Sequence, residues 1–131
     1  MFVDASAIVA IIAGEPDATD LESRLVTAGR SYASAMATYE ATLGIARSLN
    51  IPIGNAGSLV DDLLSQIHAE IIPITAEIGR EALRAFERFG RGRHPARLNM
   101  GDCFAYACAR ALDVPLLFKG EDFALTDIAT G

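Results

Sequence analysis

Three carboxylates fall where a chain of alternating strands and helices turns from one element to the next, and a fourth lies along a helix between them. Asp4 ends the short apolar opening Met1–Asp4, and Glu40 lies about two turns into a helix beside the stripe Met36, Tyr39, Leu43 and Ala46. Asp102 opens the apolar segment Cys103–Leu112, and Asp122 follows the last apolar run by a few residues. Each acid has an ordinary explanation. Asp4 suits a helix N-cap, Asn99-Met100-Gly101-Asp102 resembles a capping box, Glu40 fits a solvated helix face and Asp122 a surface turn. Their joint placement asks for more. Carboxylates gathered in a partly apolar cleft repel one another, and burial raises their pKa values. A hard divalent cation such as Mg²⁺ or Mn²⁺ removes that conflict through carboxylate and water oxygens. Such an ion can activate a water and stabilise an in-line displacement at phosphorus.

The elements that must position these acids can be read from pattern. Ala5–Ala13 is a helix candidate, and Pro16 suits the first turn of a second helix through about Ala28. Arg30–Ala33 reads as a short strand, with Ser34 capping a helix to about Leu49. Asn50–Asn55 breaks the chain with proline and glycine, and a helix follows to about Ala69. Glu70–Ile74 reads as a strand. Thr75–Phe89 is an amphipathic helix whose apolar stripe is Ile78, Ala82, Ala85, Phe86 and Phe89. Arg91–Met100 is a basic loop, Cys103–Leu112 a buried helix, Val114–Phe118 a buried strand, and a turn with a short terminal element follows from Gly120. Short apolar strands alternating with helices predict an α/β fold around a parallel sheet, and ligands of such sheets sit outside the carboxyl ends of the strands.

The chain's 131 residues make one domain, and 51% hydrophobic with 21% charged residues suffices for a core. Two cysteines, Cys103 and Cys108, are too few for a disulfide framework and lack zinc-site spacing, which suits a reduced, cytoplasmic compartment and inert core thiols. The apolar run Ala5–Ala13 is far short of a membrane span, and no basic segment precedes it as in a signal peptide. A formal charge of −6 argues against binding polyanions through net charge, although two divalent ions would offset four of those charges. Six arginines nevertheless crowd between Arg80 and Arg97, with His94 among them.

Particular strings carry a family resemblance. Val3-Asp4-Ala5-Ser6, Glu15-Pro16, Ser34 with Glu40, Leu98-Asn99-Met100-Gly101-Asp102-Cys103-Phe104-Ala105-Tyr106-Ala107 and Leu116-Leu117-Phe118-Lys119-Gly120-Glu121-Asp122-Phe123 with Thr126-Asp127-Ile128 resemble the PIN-domain ribonucleases, in particular the VapC toxins of type II toxin–antitoxin modules. The resemblance covers essentially the whole chain, 1–131. It implies a three-layer α/β/α fold with a central parallel sheet of four to five short strands. It also implies a Mg²⁺- or Mn²⁺-dependent endoribonuclease that inhibits translation and growth. The matching acids are Asp4, Glu40, Asp102 and Asp122, with Asp4 and Asp102 as direct metal ligands. Ser6 supports the first aspartate, and Asp127 is a supporting acid near the site. The turn Lys119-Gly120-Glu121-Asp122 departs from the spacing of many relatives, so Asp122, Glu121 or water completes the site. The implied partners are RNA, a second copy in a homodimer, and a VapB-type antitoxin forming a heterotetramer or larger complex, with no membrane.

Arg91, Arg93, His94 and Arg97, in the loop leading to Asp102, are expected to contact RNA phosphates, as is Lys119. Arg80 and Arg84 are expected to pair with Glu77, Glu81 and Glu87 along their own helix, and Tyr39 and Tyr106 to pack in the core. Two other classes of function compete. A catalytically silent binding module would tolerate amide replacement of the acids. A phosphate-accepting regulatory domain would use Asp4 with Lys119, but it normally needs further acids early in the chain.

Overall fold

The computed structural model describes all 131 residues. The elements run β1 (Phe2–Val3), α1 (Ala5–Ala13), α2 (Ala18–Ala28), β2 (Tyr32–Ser34), α3 (Ala35–Leu49), α4 (Ile53–Gln66), β3 (Glu70–Ile72), α5 (Ala76–Phe89), α6 (Met100–Leu112), β4 (Leu116–Leu117) and a terminal 3₁₀ turn (Phe123–Leu125). The strands form one four-stranded sheet, β3-β2-β1-β4, in which every pairing is parallel. No helix is long and apolar enough to cross a membrane.

Period-two alternation divides the core. Phe2 and Leu116 face a cluster built by α5, α6 and the terminal turn, whereas Val3, Ala33 and Leu117 face one built by α1, α2, α3 and α4. Helices therefore cover both faces of the sheet, giving the expected three layers. The neighbouring strands β1 and β4 are only two residues long, but all four of their side chains are fully buried.

Local chemistry sets the helix ends. Ser34 accepts a hydrogen bond from the Ala37 N–H, and Thr75 from the Ile78 N–H, satisfying amides that an unfinished first turn leaves open. Gly14 closes α1 in the left-handed conformation at φ 67°. Pro16 lies two residues before α2, not inside it. α4 starts at Ile53 and takes in Gly54 and Asn55, because Ala56, Val60 and Leu64 bury a continuous stripe that outweighs their poor helix propensity. α6 starts at Met100, three residues before the predicted helix, as the Asn99 cap requires. β3 and β4 are shorter than the apolar runs that predict them.

Candidate functional site

The parallel sheet delivers the acids to one edge. Asp4 directly follows β1 and caps α1, and the residue is only 5% exposed. Both donors of Ser6 converge on one oxygen: the N–H lies 2.9 Å and the hydroxyl 2.5 Å from Asp4 Oδ2. Oδ1 accepts from neither. Ser6 Oγ in turn accepts the Lys119 N–H at 3.0 Å, which ties the loop after β4 to the start of α1.

Asp102 sits in the first turn of α6. Its Oδ2 accepts the Asn99 N–H at 3.0 Å while its own N–H donates to Asn99 Oδ1 at 2.9 Å, completing a capping box. The structural explanation of Asp102 is thus correct, and it is compatible with a second role, because one carboxylate oxygen remains outside the box. Glu40 reaches across from α3. A Cβ on Gly101 would fall on the Glu40 carboxylate, so only glycine lets that side chain lie against the start of α6. Asp4, Ser34, Met36, Ala37, Glu40, Gly101, Phe104 and Ala105 enclose a narrow crevice there.

The electrostatics show that these groups share one field. Burial and the negative charges of Asp4 and Asp102 push Glu40 up to about 7. Burial, offset by the Asn99 N–H and reinforced by Asp4 and Asp122, pushes Asp102 up to about 6, with Arg91 opposing weakly. Burial raises Asp4 as well, against the hydrogen bonds from Ser6 and Ala5. None of the four acids forms an ion pair. No three carboxylate, imidazole or thiolate groups converge as a ready-made metal cage. A pair of carboxylates with water in the remaining positions is nevertheless the usual way Mg²⁺ is held. The donor set, all hard oxygen with uncompensated charge, fits such an ion.

Other expected residues are placed differently. Asp127 does not join the cluster: its Oδ1 accepts the Tyr106 hydroxyl at 2.6 Å and its Oδ2 the Arg88 guanidinium at 3.1 Å. These contacts hold the terminal segment against α5 and α6. Lys119 does not offer a free ammonium, because Glu15 pairs with it and Asp17 Oδ1 lies 3.7 Å away. His94 is a scaffold for its own loop. Its Nδ1 accepts the Ala96 N–H at 3.0 Å, and its half-buried ring meets Phe89 edge-on at 5.1 Å.

Arg91, Arg93 and Arg97 remain exposed on that loop, which closes between Gly90 and Leu98 over the buried Ala96 and Leu98. Arg84 pairs with Glu81 at 2.7 Å as expected, but Arg80 makes no ion pair and borders a groove between α5 and α6. Tyr106 is core, whereas Tyr39 is 65% exposed. Asp122 is exposed at the start of the terminal turn, and its charge acts on Asp102.

Pattern reading misses Gly101, Phe104, Glu15 and Asp17 as parts of this edge. Gly101 was visible inside a motif but not as a contact, since its necessity arises from a side chain sixty-one positions earlier. Glu15-Pro16 was visible as a motif but not as a lysine partner.

Comparison with known proteins matches the PIN domain model over residues 1–129. A VapC ribonuclease of Rhizobium meliloti is 40% identical, covering 97% of this chain and 98% of the relative. Ribonuclease VapC42 of Mycobacterium tuberculosis is 41% identical, covering 98% and 96%. Among solved structures, Mycobacterium tuberculosis VapC20, described as a toxin that cleaves the sarcin-ricin loop, superposes with a TM-score of 0.75 at 17% identity over 99% of this chain and 97% of that one. That likeness supports the shared fold.

Proposed function

The chain belongs to the PIN-domain family, within its VapC ribonuclease branch, and from that premise we propose that it is an endoribonuclease toxin whose reacting site is the carboxylate cluster Asp4, Glu40, Asp102 and Asp122. One observation carries the assignment of the site. Asp4 and Glu40 line one crevice against the start of α6, the charges of Asp4 and Asp102 bear on Glu40 and those of Asp4 and Asp122 on Asp102, and no protein cation is paired with any of the four.

Asp4 and Asp102 are the residues that would hold a Mg²⁺ or Mn²⁺ ion. Such an ion, when bound, polarises a phosphoryl oxygen and lowers the pKa of its water. The protein's own contribution is positional. Ser6 fixes the rotamer of Asp4 through two donors, and the capping box fixes Asp102. Glu40, whose carboxylate lies in the same crevice as Asp4, is the group that accepts a proton from an attacking water. Arg91, Arg93 and Arg97 draw the RNA backbone toward Asp102 without reading its sequence. Asp122 supplies further negative charge at the rim.

The family implies a VapB-type antitoxin, and a homodimer is part of the same proposal. Exposed apolar Leu83, Phe86 and Met100 along the groove between α5 and α6 support a protein partner there. The free, buried Cys103 and Cys108 suit a reducing cytoplasm.

Incubating antitoxin-free protein with RNA and Mg²⁺ or Mn²⁺ tests the reading. Cleavage should require the ion and disappear in Asp4→Asn and Asp102→Asn. Ion-independent cleavage, or full activity in both variants, would overturn it, and absence of any cleavage would favour a silent binding module.

A further inference from the structure

We propose that Lys119 is a positioning residue that holds the Asp4–Ser6 pair and the Asp122 loop in register, through a clamp on Glu15 and Asp17. The inference rests on Asp4 being a carboxylate of the reacting site. Lys119 lies two residues after β4, and its side chain crosses to the turn between α1 and α2. There it pairs with Glu15, with Asp17 Oδ1 at 3.7 Å. Glu15 Oε2 and Asp17 Oδ1 are both shielded from solvent and have no hydrogen-bond partner besides this ammonium contact. Removing the ammonium would leave these two carboxylates without the cation they share and would untie the α1–α2 turn from the loop after β4.

The backbone of the same residue carries the effect to the site. The Lys119 N–H donates to Ser6 Oγ at 3.0 Å, and Ser6 Oγ donates to Asp4 Oδ2 at 2.5 Å. A hydroxyl has one proton to give, so accepting from Lys119 orients it toward Asp4. Gly120, at φ 96°, then turns the chain toward Asp122. One residue therefore fixes the α1–α2 turn with its side chain, the Asp4 rotamer with its N–H, and the loop that supplies Asp122.

Steady-state RNA cleavage by Lys119→Met, Lys119→Arg and the double variant Glu15→Gln/Asp17→Asn tests this, with Asp4→Asn alongside. Lys119→Met should lower kcat by about tenfold to a hundredfold, as a displaced reacting group does, with KM and its salt dependence unchanged. Lys119→Arg should recover most of that loss. The double variant, which keeps the lysine but removes its anchors, should lower kcat similarly, and it carries the test if Lys119→Met fails to fold by circular dichroism. A raised KM with a shallower salt slope and normal kcat in Lys119→Met would make Lys119 an RNA contact and overturn the proposal. So would normal kcat in a folded double variant. Full activity of Asp4→Asn would instead break the underlying site assignment, whatever Lys119 does.

Discussion

Two carboxylates address α6 about one turn apart, and their circumstances are opposite. Asp102, in its first turn, is pushed up to about 6 by burial and by Asp4 and Asp122. Asp127, on the Tyr106 hydroxyl, is held below the usual carboxylate range by that bond and by Arg88. The second acid has a donor for each oxygen and no charge left to satisfy, so it fastens the terminal segment to the core. The first belongs to a group whose charges are mutually repulsive and unpaired. Acids that merely stabilise a fold find partners within it, whereas acids kept unsatisfied at a ligand-binding edge are waiting for something outside it.

The largest consequence concerns turnover. Asp4→Asn or Asp102→Asn should reduce RNA cleavage by at least about a hundredfold, on the scale of losing an electrostatic stabiliser of the transition state. Both variants should remain folded, since an amide relieves repulsion. Asp127→Asn should leave kcat near normal while lowering the melting temperature. If Asp127→Asn were the more damaging to turnover, the division between the two acids would be wrong.

On stability the ranking reverses. Tyr106 is 1% exposed, and Tyr106→Phe removes its hydrogen bond to a charged acceptor. Because Asp127 itself is partly in solvent, the expected loss is about 1–2 kcal/mol in denaturant unfolding, the lower part of the range for such bonds.

The pH dependence separates the same two groups. Glu40 and Asp102 have folded values of about 7 and about 6, above their unfolded values. The folded, metal-free chain therefore binds more protons than the unfolded chain between about pH 4 and 7, and stability falls as pH rises through that window. The decline should be on the order of 1–2 kcal/mol, since Glu40 is only half-buried. It should be smaller in Glu40→Gln. Asp127 contributes in the opposite sense: its stabilisation is present above the unfolded value and lost as pH falls through the lowered one. Thermal melts across pH, with and without Mg²⁺, check both.

The smallest effects belong to the basic loop. Arg93→Gln or Arg97→Gln should each raise KM for RNA a few-fold and flatten its salt dependence by about one phosphate contact. Arg84→Gln, already paired with Glu81, should change neither.

Much of this was legible from residue order. Alternating apolar strands and helices gave the three layers, and the rule that ligands meet parallel sheets at their carboxyl ends located Asp4 and Asp102 together. Ser34 and Thr75 announced their helices because capping is local chemistry. The features that escaped depend on distant pairings. Lys119 meets Glu15, and Asp127 meets Arg88 thirty-nine positions earlier. His94 turns inward onto Phe89. Each is a charged or polar residue in a stretch that looks solvated, and only tertiary packing decides whether it faces solvent or a partner. Tyr39 fails in the reverse direction: counted in the stripe Met36, Tyr39, Leu43 and Ala46, it faces solvent because α3 buries Ala37, Ala41 and Ile45 instead.

The measurement that reaches the central claim most directly is a carbon-detected NMR titration of the side-chain carboxyls, with and without Mg²⁺. Glu40 should titrate near 7 in the metal-free protein and move well down when the ion is added, while Asp127 stays low in both. A Glu40 that titrates as an ordinary glutamate and ignores Mg²⁺ would contradict the account.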